Sequence, residues 1–581
     1  MHRRLRLLGA AVVIAAVPTI AGGLSPVPEP ALGRTTISSI TVQEDEGYPI
    51  ESETIVARCE RCHEQDDAGR MTRISYERKT PEGWQTSLRR MVALNNLTIS
   101  PDEAREVVRY LANEQGLAPE ELEPGRFEVE RRLIDHVYEA DPETEWTCIQ
   151  CHSMGRVITQ RRTREEWELL LATHRGLYPL VDFQAFRRSG PAEEGENGAP
   201  TDRRHPMDRA VDHLSAAFPL DTPEWSAWKA TMRPPRLAGT WALDGYEPGK
   251  GRLFGTVTIS EGANPDEFET RSSYTYAETG ETVSRTGSAI VYTGHQWRGR
   301  SNPGGADELR EVMSVERGWD AMSGRWFSGA YDEHGPDITL RRLGSDAGDI
   351  RPRILGVHPP AVRRGAVTEV RVWGYAPLDE SDFGPGVTVT PVGMEGMTGV
   401  PVWTLSLDVD NDAALGPRDL YAAEASLAKA IVVHDGVDRL EVTPATGMAR
   451  VGGANFPKGY QVFDAIGWND GPDGEPETGD DLRLGRVPVE WSLEEYAATY
   501  DDDDVRFVGS IDAAGVFTPN DDGPNPERRG NRNNVGDVWV TASFDRGADR
   551  PLRARAHLLV TVPLYMRFDP WQAAPPTRLV P

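Results

Sequence analysis

Apolar residues recur at helical spacing in the first part of the chain and alternate with polar ones in the rest, and the change falls at Leu237. Three helical patterns in the first part carry recognisable starts. Thr80 before Pro81 opens one whose Trp84 and Leu88 lie four apart, and Thr163 with Glu166 forms a capping box that opens a second, with Trp167 and Leu171 at the same spacing. Ser100-Pro101-Asp102-Glu103 opens the third, whose apolar stripe is Val107, Val108 and Leu111. A fourth helix is expected from about Met207 to Ala217, reached through the polar loop Ser189 to Arg204. The first two are copies, because Glu77 to Met91 aligns without a gap on Gln160 to His174.

Beyond Leu237 the pattern predicts strands separated by Gly-rich turns. Gly255 to Ile259, Ser272 to Ala277, Ser288 to Tyr292 and Asp337 to Leu340 suit a small antiparallel barrel over residues 237–343. Gly249-Lys250-Gly251 lacks the glycine spacing and the following Ser or Thr of a phosphate loop, so it reads as a turn. A β-sandwich is expected over 351–435, with strands at Thr368 to Val372, Gly386 to Pro391 and Ala430 to His434. An immunoglobulin-like sandwich is expected over 436–565, from strands at Gly509 to Asp512, Gly515 to Pro519, Val538 to Ser543 and Leu558 to Val562. The acid-rich loops Asp470 to Asp481, Asp501 to Asp504 and Asn520 to Asp522 miss the calcium-loop spacing and read as solvated turns.

The start of the chain changes the picture. Arg3, Arg4 and Arg6 precede an apolar run from Leu7 to Ala21, the layout of a secretory signal peptide over residues 1–22, with an uncleaved anchor as the alternative. A Pro-, Gly-, Ser- and Thr-rich lead-in over 23–44 follows. The 581 residues carry a net charge of -28, and removing the three leader arginines takes it to about -31. Nucleic acid and anionic membranes are poor partners for such a surface, whereas a basic redox protein would be steered towards it.

The candidate chemistry uses every cysteine. Cys59-Glu60-Arg61-Cys62-His63 and Cys148-Ile149-Gln150-Cys151-His152 both have the spacing that attaches a c-type haem: two thiolates add to the porphyrin and the adjacent His63 or His152 ligates the iron. A zinc site or a redox dithiol is the alternative, but the pairs lie far apart and each has its own His. Two covalently bound haem c groups are therefore expected in an α-helical domain over 45–236. Thioether attachment and the leader agree on the periplasm. Seven residues after the repeat's Trp stand Met91 in one copy and His174 in the other, so these are the expected sixth ligands, with Met71, Met154 and His136 in reserve. His/Met ligation raises a haem's potential relative to two imidazoles, so the irons should differ. His205 and His213 read as surface or packing residues. Sequence spacing assigns the β half no catalytic set.

This order of parts, with Val437 to Pro444 and Met448 to Gly453, resembles the alpha subunit of quinohaemoprotein amine dehydrogenase from about residue 45 to 565. The resemblance implies a periplasmic heterotrimer that oxidatively deaminates primary amines. Its cysteine tryptophylquinone lies on a small partner subunit, a β-propeller is the third chain, and a soluble cytochrome c or blue copper protein accepts the electrons. This chain would then carry electrons without oxidising amine itself, its cysteines being committed to haem. A dihaem peroxidase, or a cytochrome fused to β binding modules, is the alternative.

Overall fold

The computed structural model describes residues 46–126, 138–149, 152–178, 181, 204–328, 335–344, 352–396, 399–422, 425–453, 456–497, 502–547 and 550–562. The expected leader and lead-in, together with His136 and Cys151, lie outside the described residues.

Helices dominate the first part: α1 (Glu53–Cys59), α2 (Pro81–Asn95), α3 (Pro101–Glu114), α4 (Pro119–Leu122), α5 (Pro142–Cys148), α6 (Gly155–Ile158), α7 (Arg164–Leu177), α8 (Pro206–Ala217) and α9 (Pro223–Thr231). Capping fixes their starts. Thr80 Oγ1 accepts from Gly83 N, Thr163 Oγ1 accepts from Glu166 N, and Ser100 with Glu103 forms a full capping box. The expected box at Thr163 is only half made, because the Glu166 carboxylate turns away to Arg73 at 2.7 Å. A cation in reach outcompetes the neutral backbone N–H for a carboxylate.

The two copies meet through a short antiparallel ribbon, β1 (Glu77–Lys79) with β2 (Gln160–Arg162). Glu77 stands opposite Arg162, Arg78 opposite Arg161 and Lys79 opposite Gln160. Each strand pairs with its own repeat equivalent, so the copies are related by a local two-fold through Arg78 and Arg161.

The strands β3 (Gly239–Glu247), β4 (Gly251–Glu261), β5 (Glu267–Tyr276), β6 (Thr282–Tyr292), β7 (Gln296–Ser301), β8 (Leu309–Val315), β9 (Ala321–Phe327) and β10 (Asp337–Gly344) form a closed up-and-down barrel in which β10 pairs with both β9 and β3. Alternating inward residues, among them Trp241, Leu243, Trp297, Met313 and Trp326, fill it as a packed core. The Gly249-Lys250-Gly251 segment is the β3–β4 turn, with both glycines at positive φ. Its Gly249 N donates to Asp464 and so anchors the barrel to the last β region. The β6–β7 turn seats the barrel on the helices. Thr293 N donates to Asn113 Oδ1 at 2.6 Å, Trp228 Nε1 donates to Thr293 O at 2.8 Å, and His295 Nε2 donates to Leu117 O at 3.0 Å.

Between Ile354 and His434, two four-stranded sheets close on one core that includes Val370, Val372, Leu405, Leu407 and Ile431. Between Arg439 and Thr561, one four-stranded and two three-stranded sheets surround Phe463, Phe517, Val540 and Leu558. Residues 502–504, the described part of the Asp501 to Asp504 acid run, depart from the expected solvated turn. Asp504 is buried and pairs with the fully buried Arg528, which also takes Asp503 at 2.9 Å. Among the described residues no helix is long and apolar enough to cross a membrane.

Candidate haem centres

Each attachment motif begins on the last residue of a short helix, Cys59 of α1 and Cys148 of α5. In the first motif Cys62 N and His63 N both donate to Cys59 O, at 3.0 and 2.9 Å, so the chain winds tightly between the two thiols. Cys62 is exposed and Cys59 half-buried; burial, with Cys62 beside it, pushes the Cys59 thiol up.

Three imidazoles are tautomerically fixed. A carbonyl only accepts, so the ring nitrogen facing it carries the proton and the other nitrogen keeps its lone pair. Nδ1 of His63 donates to Thr72 O at 2.8 Å, that of His152 to Ser153 O at 2.9 Å, and that of His174 to Leu170 O at 2.8 Å. All three therefore offer Nε2. Burial, reinforced by Arg156, pulls His152 down to about 3, and burial pulls His174 down as well. Both rings are neutral at physiological pH, the form that ligates a metal.

His152 and His174 face each other with ring centroids 6.4 Å apart and planes at 54°. A metal between two imidazoles needs about 2 Å for each metal–nitrogen bond and about 1.2 Å from each nitrogen to its ring centre, so the donor pair fits an iron between them. In the first copy Met91 lies on α2, half-buried, with Asn95 Nδ2 donating to its Sδ at 3.6 Å. The reserves Met71 and Met154 are fully buried in the apolar cores of their copies. His205 caps α8, accepting from Met207 N, and His213 Nε2 contacts Tyr138 Oη at 2.6 Å.

The helix that carries each expected sixth ligand is held the same way in both copies. Trp84 Nε1 donates to Gln115 O at 3.2 Å and Trp167 Nε1 to Phe218 O at 3.3 Å, and these acceptors are the C-caps of the closing helices α3 and α8. Lys79 N and Arg162 N donate to the same two carbonyls, at 3.1 and 3.3 Å. The Lys79 ammonium lies 4.8 Å from the centre of the Trp84 ring, and Arg162 lies 5.7 Å from that of Trp167.

Sequence spacing gives no sign of Glu121. Its buried carboxylate takes Arg78 at 2.9 Å and Arg161 at 3.0 Å, so one acid bridges the two arginines at the local two-fold. Arg78 also donates to Gly116 O and Leu220 O, one from each copy's closing segment.

Comparison with known proteins gives four family matches in order along the chain. Residues 50–191 match "Quinohemoprotein amine dehydrogenase A, alpha subunit, haem binding", and 234–343, 351–435 and 440–572 match domains II, III and IV of the same alpha subunit. No curated protein matches. Among solved structures, a redesigned β-barrel is 14% identical, covering 19% of this chain and 92% of its own at a TM-score of 0.16. A de novo fluorescence-activating β-barrel is 24% identical, covering 18% and 92% at 0.15, and mouse clustered PcdhgC3 EC1-3 is 13% identical, covering 42% and 76% at 0.15. Likenesses this slight carry no argument. The family matches do, since they name every part of one subunit in sequence and the first of them covers the facing histidines: the chain belongs to the alpha subunits of quinohemoprotein amine dehydrogenase, an oxidoreductase of several subunits, and carries their haem-binding domain.

Proposed function

We propose that this chain is the electron-transfer subunit of a periplasmic amine dehydrogenase, taking electrons from a quinone on a small partner subunit and delivering them to a soluble cytochrome c or blue copper protein. A β-propeller chain completes the heterotrimer. Cys59 and Cys62 hold one haem covalently and Cys148 and Cys151 the other, with His63 and Met91 ligating the first iron and His152 and His174 the second. The observation that carries this is the facing pair His152 and His174, 6.4 Å apart with each Nδ1 tied to a carbonyl.

The chain's own residues supply the positioning. Leu170 O and Ser153 O hold the imidazoles in one tautomer, so no ring must rotate or exchange a proton when charge arrives. When bound, a haem accepts and releases single electrons, so two haems match the two-electron oxidation of an amine. The paired sheets that close on shared cores also support immunoglobulin-like sandwiches for the two regions beyond the barrel. The test is made on the isolated subunit. It should be reduced by dithionite and reoxidised by an acceptor cytochrome while showing no amine-dependent dye reduction; dye reduction by the chain alone contradicts the proposal.

A further inference from the structure

The chain segment that orients His63 is strained. Thr72 O accepts from His63 Nδ1 at 2.8 Å and from Ile74 N, also at 2.8 Å. The second bond closes a three-residue turn around Arg73, which sits at φ 68° and ψ -50°. This is close to the rare, strained form of the γ-turn, and a residue with a side chain stays there only where surrounding contacts impose it. The carbonyl that accepts from His63 belongs to the planar peptide joining Thr72 to Arg73, so its direction follows the Arg73 φ. The imposing contact comes from the other repeat. Arg73 Nε donates to Glu166 Oε2 at 2.7 Å, and the Glu166 side chain, on the first turn of α7, is only 5% exposed. Thr163 N, at the start of the same helix, donates to Tyr76 O at 3.3 Å, which seats α7 against the chain just beyond the turn. The arrangement is one-sided. The repeat counterpart of Glu166 is Gly83, and His152 Nδ1 donates to the carbonyl of the adjacent residue, Ser153, at 2.9 Å.

We propose that Glu166, acting through Arg73, is a positioning residue for the first haem: the second repeat holds the strained turn whose carbonyl orients His63 and sets its basicity. This rests on the ligation proposed above. A proximal imidazole that donates Nδ1–H to a carbonyl is the stronger base towards iron and favours the oxidised metal. Loosening the turn should therefore make the His63-ligated haem easier to reduce. The tie also joins the centres, because the helix that supplies Glu166 at its start carries His174 nearer its end.

Arg73→Ala and Arg73→Gly test this in the holoprotein, because both remove the same guanidinium and differ only in what they do to the backbone. Glycine adopts positive φ as readily as negative, so Arg73→Gly no longer needs the tether, whereas Arg73→Ala keeps the strain and loses the tether. One readout is proton exchange at His63 Nδ1–H, followed by NMR in the reduced, diamagnetic state, and the other is redox titration. Exchange should be slow in the wild type and in Arg73→Gly and fast in Arg73→Ala. At fixed potential the reduced-to-oxidised ratio of the His63-ligated haem should be roughly fivefold higher in Arg73→Ala than in Arg73→Gly, the size expected of about one neutral hydrogen bond. Equal exchange in the two variants, or equal potentials, overturns the proposal. Should Arg73→Ala not accumulate, Glu166→Ala decides: exchange quickened by it in the wild-type background but not in Arg73→Gly supports the tether, and the same exchange response in both backgrounds overturns it. A His63→Ala protein whose two haems both stay low-spin overturns the underlying ligation instead, so the two failures are distinguishable.

Discussion

Arg78 and Arg161 stand opposite each other across a three-residue ribbon and share one buried carboxylate, Glu121. Two like charges face each other at the local two-fold because that acid lies between them. The two repeats of the haem-binding region are therefore tied into one frame at this ribbon.

Removing the bridging charge should loosen that frame. Glu121→Gln leaves two buried guanidiniums without their anion, an unpairing that costs about 3–5 kcal/mol. The expected outcome is earlier thermal loss of the haem circular-dichroism signal, with melting of the β regions unchanged. A coincident melt of wild type and variant would show that the arginines find other partners.

Acid should act through Glu77. Burial pushes its carboxyl up, but Arg162 and Lys79 outweigh this and hold it at about 2, below its ordinary 4.5. A carboxyl depressed in the folded state adds stability that is complete above the unfolded value and is lost as pH falls towards the folded one. The haem region should thus lose on the order of 3 kcal/mol between about pH 4.5 and pH 2. Glu77→Gln should flatten that part of the profile, measured by denaturant titration at each pH.

The repeat tryptophans should behave alike. Trp84 and Trp167, 3% and 1% exposed, each fill a core and donate to a helix C-cap. Replacement by Phe removes one neutral hydrogen bond, about 1 kcal/mol, while Ala also opens a cavity and should cost about 3–5 kcal/mol. Equal losses for Phe and Ala at either site, in chemical denaturation, would contradict the packing described.

The helix starts at Thr80, Ser100 and Thr163 are legible in the sequence because capping is local: the donor lies three residues from its acceptor. Four of the eight barrel strands, β4, β5, β6 and β10, are legible through alternation such as that of Glu267–Tyr276, whereas β3, β8 and β9 bury consecutive residues and escape such a search. The ribbon is not. Its six residues are charged or polar and mostly buried, so a search for apolar alternation passes over them. Glu121 is illegible for another reason. The partners of Glu121, Arg78 and Arg161, each lie about forty residues away, and only the paired repeats bring them together. The Thr163 capping box fails in its second half through the same long-range competition, from Arg73.

Ligation is tested residue by residue. On the proposed assignment, Met91→Ala abolishes the sulfur-to-iron charge-transfer band and leaves the other haem low-spin. His174→Ala leaves the band and turns the second haem high-spin. Persistence of the band in Met91→Ala would transfer the role to another methionine, Met71 or Met154.

The most direct measurement is a haem count on the purified protein by the pyridine haemochrome assay, made before and after acid-acetone extraction and repeated on Cys59→Ala/Cys62→Ala. Two haems per chain that resist extraction, falling to one in the double variant, are the predicted result. A single haem, or haem that extracts freely, would contradict the account of two covalent centres on one folded repeat.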